Sequence, residues 1–400
     1  MNYLANRVAN LQPSATKAMT ERAHALKLEG KSIISLSQGQ PDFDTPPNIT
    51  KAAIEAVNAG KTRYTPTSGI IELREAIKNK FLSDNQIEYS TSEIIVGTGA
   101  KQILFNAFLA TLNFADEVII PTPAWVSYPE MVKLIGGNPI EVYCDRQANY
   151  KLTAQQLEHA ITPKTRWLVL NSPSNPTGSV YSKAELSALA ECIRKYPRIM
   201  VLCDDIYEKL IYDNQAFYTL AQIAPDLKDR ILTINGVSKA YAMTGWRIGY
   251  GAGPKALIKT MSIIQGHSTS NPNSIAQYAT LAALTGPQHY LQQFTMAFEK
   301  RRNFMFGKLN SLDELDCTLP QGAFYLFVNC EGIFQKTTPQ GKKLNNDIDV
   351  AFYLLEEFGV GLVPGSAFMA PGHLRLSFAA AESQLEAACE RIKLALALLQ

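Results

Sequence analysis

The 400-residue sequence predicts an α/β protein built on a mainly parallel sheet with helices on both faces. Three observations lead there. Short β-rich apolar runs alternate with helix-period stretches, the residues with chemical potential fall just after those runs, and the pattern changes after about Gly286. Seven runs have strand character: 93–96, 117–120, 140–143, 166–170, 200–203, 231–234 and 248–250. The first passes through Gly97-Thr98-Gly99 into a helical pattern carried by Ile103, Leu104, Ala107 and Phe108. In open sheets of this kind ligands bind beyond the carboxyl ends of the strands. Gly99, Asn171, Asp204 and Lys239 all stand at such places.

Beyond Gly286 come a helical stretch (290–312), a strand-like run (323–329), a helix (348–358) and two extended runs (360–364, 374–378). They read as a second, α+β domain. Its other part is the N-terminal 45 residues, with a helix near 15–28 and Ser14 or Thr16 as N-cap. The expected division is 46–288 for the large domain, with 1–45 and 289–400 forming the small one.

Composition excludes several functions. A hydrophobic share of 46%, a charged share of 18% and a net charge of +2 suit a globular chain and give no basic stripe for nucleic acid. No apolar run approaches membrane-spanning length, and residues 1–30 have no signal-peptide core. The 6 cysteines show no CxxC spacing and the 5 histidines are dispersed, so neither a metal site nor a disulfide framework is expected. A cytoplasmic protein with reduced thiols is the expectation.

Lys239 carries the strongest functional signal. It lies in Ser238-Lys239-Ala240-Tyr241-Ala242-Met243-Thr244-Gly245-Trp246-Arg247, beside a small hydroxyl and eight residues before an arginine. Such an amine can form a Schiff base with an aldehyde cofactor while the guanidinium grips its phosphate. A surface lysine ahead of a buried strand is the plainer alternative. Asp204, in Asp204-Asp205-Ile206-Tyr207, follows an apolar run. A carboxylate there is costly without a cation, and a pyridinium nitrogen is such a partner. Tyr207 is spaced to donate to the same ring. Asp205 is the rival, and the Asp-x-x-Tyr spacing favours Asp204.

Asn175, in Asn171-Ser172-Pro173-Ser174-Asn175-Pro176-Thr177-Gly178, can offer an amide to a ring oxygen or a substrate carboxylate, although Asn-Pro and Thr-Gly are also ordinary turns. Gly97-Thr98-Gly99-Ala100-Lys101 fits a helix start or a phosphate cradle equally. It is no dinucleotide fingerprint, because Gln102 occupies the third glycine position. Trp125 can stack on an aromatic ring or fill core. Arg375, in the apolar run Leu374-Arg375-Leu376, fits a clamp on a carboxylate or a buried ion pair.

With these residues assembled, the chain resembles the class I, fold-type I aminotransferases that use pyridoxal phosphate, over essentially its full length. It is most similar to the bacterial aspartate aminotransferase branch, some members of which accept prephenate or arogenate. The resemblance implies Lys239 as the cofactor's covalent anchor, Asp204 on the pyridine nitrogen, and Tyr207 with Asn175 on the ring oxygen. It implies Arg247, Ser238 and the Gly99–Ala100 amides on the phosphate, Trp125 on the ring, and Arg375 with the Gly39 amide on the substrate carboxylate. Tyr64 matches a tyrosine that reaches the phosphate from a partner subunit, which implies a homodimer with shared sites.

Ser14, Thr16 and Lys101 match positions that serve acidic substrates, with a solvent-facing first-turn lysine as the plainer alternative for Lys101. The expected reaction joins L-amino acids and 2-oxo acids: L-aspartate and 2-oxoglutarate to oxaloacetate and L-glutamate. A prephenate aminotransferase, or a C–S lyase on the same fold, is the alternative. One departure stands out. Gly236 occupies a position where other branches carry a phosphate-binding serine, which leaves Ser238 to supply the hydroxyl.

Overall fold

The computed structural model describes residues 5, 8 and 15–400, with side chains at 5, 8 and from 18 onward. In chain order the strands are β1 (Ile34–Ser35), β2 (Ile94–Gly97), β3 (Glu117–Thr122), β4 (Asn138–Tyr143), β5 (Thr165–Asn171), β6 (Met200–Asp204), β7 (Ile231–Gly236) and β8 (Gly249–Ala252). They continue with β9 (Asp316–Cys317), β10 (Tyr325–Asn329), β11 (Val360–Gly361), β12 (Val363–Pro364) and β13 (His373–Ser377).

Strands β2 to β8 form one sheet of 7 strands in the order β2-β8-β7-β6-β5-β3-β4. The pairs β4/β3, β3/β5, β5/β6 and β6/β7 are parallel, and β8 runs antiparallel to both β7 and β2. The mainly parallel sheet expected from the sequence is therefore present, with β8 as the reversed strand. Its runs are apolar on both faces because both are covered. Along β5, Trp167 and Val169 enter one core while Leu168 and Leu170 enter the other. Helices Ala100–Thr111, Ser127–Ile135 and Lys255–Ser268 pack on the first face; Ile71–Asn85, Lys183–Arg194 and Ser274–Thr285 pack on the second.

The same alternation decides which of two neighbouring acids faces which core. Val201 and Cys203 of β6 point with Leu168, whereas Leu202 points with Trp167. Asp204 continues the Leu202 direction and Asp205 the other.

A further core joins Met19, Leu26 and Leu36 to Phe298, Tyr325, Leu354 and Leu385, and it also takes in Tyr207, Leu210 and Tyr212. Its sheets are β12-β13-β10-β9 and the parallel pair β1-β11. The long helix is His289–Leu309 and the later one Asp347–Phe358. The extended run 360–364 splits at Leu362, so β11 and β12 serve different sheets. The expected N-terminal helix is Ala15–Leu28, but Ser14 and the side chain of Thr16 lie outside the described residues.

Glycine lets the reversed strand reach the rim of the site. A Cβ on Gly249 would sit 2.6 Å from both Ala100 Cα and the Gly99 carbonyl carbon, against backbone that cannot swing aside. Nothing lies within 4 Å of a Cβ on Gly245. Gly249→Ala is therefore expected to cost more than about 2 kcal/mol in urea denaturation, and Gly245→Ala to stay within about 0.5 kcal/mol of the parent.

Candidate active site

The carboxyl ends of β5, β6 and β7, the start of helix Ala100–Thr111 and the segment around Gly39 enclose a cavity of about 510 Å³. Lys101, Lys239, Arg247 and Arg375 line it, and Asp204 is the one acidic residue among the described lining residues. Because β8 runs backwards, Arg247 just ahead of it reaches the same rim as the residues that follow the parallel strands.

Asp204 ends β6 and is buried. Its Oδ2 accepts a hydrogen bond from the Tyr128 hydroxyl at 2.6 Å, while Oδ1 has no partner among the described residues. Burial pushes its pKa up to about 6, against the opposing pull of the Tyr128 hydroxyl, the Ile206 amide and the Lys239 charge. At pH 7 it is thus an anion in roughly nine molecules of ten, with one dry oxygen free for a cationic donor. Asp205 is equally buried, but its charged neighbours besides Asp204 are Lys80 and Glu208, which form a buried ion pair with each other.

Lys239 follows β7 and donates to the Gly39 carbonyl oxygen. Its ammonium lies 5.8 Å from the Tyr207 ring centre and 5.9 Å from that of Phe324. Burial pulls its pKa down to about 8; Arg375, Arg247 and Lys101 add to the fall and Asp204 resists it. Thr45 ties this loop to the segment beside Gly39, donating to the Ala242 carbonyl at 2.9 Å and accepting from the Trp246 indole at 2.9 Å.

Arg375 pairs with no carboxylate among the described residues. It donates to Asn175 Oδ1 at 2.9 Å and to the Ser37 carbonyl at 2.6 Å, and its buried Nε has no partner there. Its guanidinium lies over Tyr325 at 4.5 Å and Phe368 at 4.9 Å from the ring centres. A buried guanidinium held by neutral acceptors remains an unneutralised charge, suited to a carboxylate ligand. The bond from Arg375 uses the oxygen of Asn175, which leaves the Asn175 amide hydrogens as donors.

A second anion cradle lies at the helix start. Gly99 caps helix Ala100–Thr111 with φ 81°, and Arg247 adopts φ 57°. A Cβ on Gly99 would collide with the Arg247 guanidinium. The Gly99 amide itself donates to the Gly97 carbonyl at 2.8 Å. The first-turn amides of Ala100 and Lys101 have no acceptor within the helix, and the dipole makes that end positive. Ser238 is buried within the same lining. A side chain at Gly236 would meet Gly249 Cα at 3.1 Å and the Ile248 carbonyl at 3.2 Å, so a serine there would need the adjoining strand to give by a few tenths of an ångström.

Lys101 lies 4.5 Å from the centre of the Trp125 ring and donates to Ser127 Oγ at 3.1 Å; Trp125 meets Tyr128 edge-on at 5.3 Å. Tyr64 is 90% exposed and does not line the cavity of its own chain. Lys239, Asp204, Tyr207, Asn175, Arg375, Arg247, Ser238, Ala100, Lys101, Trp125 and Gly39 all do.

The sequence reading missed two tyrosines. Tyr128, three residues after Trp125, donates to Asp204 Oδ2. Tyr325 bonds the Tyr207 hydroxyl at 2.8 Å, but its run reads only as an apolar strand.

Residues 31–392 match the family described as aminotransferase class I and II. The chain belongs to this family. The curated relatives of this aminotransferase include a probable aspartate/prephenate aminotransferase of Rickettsia bellii, 52% identical over 98% of each chain. They also include an aspartate aminotransferase of Rhizobium meliloti, 49% identical over 98% of this chain and 95% of the relative. Among solved structures, the aspartate aminotransferase from Rhizobium meliloti superposes with a TM-score of 0.97 at 48% identity, covering 100% of both chains. The aspartate aminotransferase from Thermus thermophilus with maleate gives 0.92 at 41%, covering 98% of this chain and 99% of the other.

The depressed pKa of Lys239 has a measurable consequence. At pH 7 about a tenth of the amines are neutral, against a few in ten thousand for an ordinary lysine. Borohydride trapping of an aldehyde on Lys239 should rise with pH through a midpoint near 8. In Arg375→Met that midpoint should move up, because a neighbouring positive charge has gone.

Proposed function

We propose that this aminotransferase uses pyridoxal 5'-phosphate and moves amino groups between dicarboxylic L-amino acids and 2-oxo acids, with L-aspartate and 2-oxoglutarate giving oxaloacetate and L-glutamate. The observation that carries the reading is the orphaned, buried Asp204 Oδ1 in the cavity that also holds Lys239. The donor set fits the cofactor at three points. A protonated ring nitrogen would satisfy Asp204, a phosphate would sit between the Ala100 and Lys101 amides and Arg247, and an aldehyde would reach the Lys239 amine. Gly99, without a Cβ, keeps the phosphate end open.

The bound cofactor supplies an electron sink that makes the Cα proton of an amino acid removable. The chain's own groups do the remainder. Lys239 Nζ would hold the aldehyde and, neutral in a useful fraction near pH 8, would take the substrate's Cα proton and return it. Asp204 would hold the ring proton in place, and the Tyr207 hydroxyl and Asn175 amide would be the donors for the ring oxygen. Trp125 would give the ring a flat wall if Lys101 left it for a substrate. Arg375 and the Gly39 amide take the α-carboxylate, and Lys101 takes the distal one.

Support for dicarboxylic substrates comes from the excess of cations lining the cavity and from the maleate complex of the Thermus relative. Prephenate as amino acceptor is the second reading, favoured by the Rickettsia relative's name. We extend the proposal to a homodimer in which the exposed Tyr64 serves a partner's phosphate, and to a division into residues 46–288 and the two flanking segments. The six buried, unpaired cysteines suit a cytoplasmic setting.

Half-reactions read by cofactor absorbance test the assignment. Aspartate and glutamate should convert the bound cofactor at least about tenfold more efficiently than alanine, and Lys101→Ala should remove most of that preference by raising KM for the two acids. Lys239→Ala should lose covalent cofactor uptake and amino transfer together; a fully active Lys239→Ala protein ends the proposal.

A further inference from the structure

We propose that Tyr325 is a positioning residue of this site, holding the Tyr207 hydroxyl with its own hydroxyl and seating the Arg375 guanidinium on its ring face. The inference deepens the transamination reading and rests on it. Tyr325 opens β10, where it pairs with Ser377, two residues beyond Arg375 on β13. It is fully buried, its Oη lies 2.8 Å from Tyr207 Oη, and its ring centre lies 4.5 Å from the Arg375 guanidinium carbon. Gly39 closes over it: a Cβ there would lie 2.6 Å from Tyr325 Oη. One side chain thus touches the group assigned to the cofactor's ring oxygen, the group assigned to the substrate carboxylate, and the segment whose carbonyl holds Lys239.

Proton bookkeeping gives the contact a direction. Burial keeps both phenols above their ordinary range, so each carries its proton at neutral pH. A hydroxyl has one proton to donate. If Tyr207 spends its proton on a ring oxygen, the bond between the two phenols must run from Tyr325 to Tyr207. A donor that itself accepts a hydrogen bond is polarised and donates more strongly. Tyr325 therefore strengthens the grip of Tyr207 on a negatively charged ring oxygen, and its effect should register in the cofactor's titration.

The ring contributes separately. Arg375 is held by two neutral acceptors, and a π face beneath a desolvated guanidinium adds both attraction and a flat stop that fixes the fork for a planar carboxylate. The two contributions separate by substitution, since Tyr325→Phe removes the hydroxyl and keeps the ring, whereas Tyr325→Leu removes both.

The test uses the full chain loaded with pyridoxal phosphate. Tyr325→Phe should raise the pH midpoint of the visible cofactor band by roughly half a unit to one unit, the worth of one hydrogen bond. It should lower kcat about three- to tenfold and leave KM for aspartate within about twofold. Tyr325→Leu should show the same midpoint shift and raise that KM about tenfold besides. The midpoint is read only on molecules that hold the cofactor, so a lower yield of folded variant does not change it. A Tyr325→Phe midpoint equal to the parent's, or a KM that rises equally in both variants, overturns the assignment. A parent protein that takes up the cofactor without any visible band overturns the transamination reading instead.

Discussion

Unneutralised charge held away from water organises this structure. Asp204 is buried at the end of β6 with one oxygen bonded to Tyr128 and the other without a partner among the described residues, while Arg375 stays charged between an amide oxygen, a carbonyl and two aromatic rings. Each is costly alone, and a protein that only had to be stable would replace both with apolar groups. The sheet tolerates them because six of its strands end at one rim, where a ligand of complementary charge can restore the balance. Burial lowers the basicity of Lys239, and the positive surplus around the cavity lowers it further, so the charges that suit an anionic ligand also act on the amine.

The two lobes of the site divide this work. The parallel sheet presents Asn175, Asp204 and Lys239 from rigid strand ends, whereas Arg375, Tyr325 and Gly39 come from the core built by both ends of the chain. They meet through a few specific bonds, among them Lys239 to Gly39, Arg375 to Asn175, and Tyr207 to Tyr325. A ligand that captures Lys239 or Arg375 must therefore compete with bonds that also hold the lobes in register.

Most of the large sheet was legible because its strands are doubly covered, and continuous apolar runs such as 200–203 have few other uses. The strand-end rule then pointed to Asp204, Asn171 and Lys239 without reference to distant parts of the chain. The two-residue strands β1 and β9 left no pattern, since what defines them is a pairing partner: β11 lies more than three hundred residues from β1. Tyr128 and Tyr325 were missed for the same reason, being 76 and 118 residues from the groups they bond, with nothing local to distinguish either from core. Position 99 was ambiguous for another reason. A glycine before a helix signals backbone freedom, and only the guanidinium across from it shows what that freedom serves.

Gly99 and Arg247 illustrate how tightly two distant positions can be bound together. The first lacks a side chain so that the second can lie across it, and the second holds a left-handed backbone conformation that favours glycine or asparagine over arginine. Replacing the glycine alone strains a backbone at φ 81° and pushes the guanidinium aside; replacing the arginine alone removes the cation. Divergent descendants that keep the guanidinium in this place should therefore keep the glycine, whereas loss of the arginine lifts the steric demand at position 99 and leaves only the cost of its positive φ.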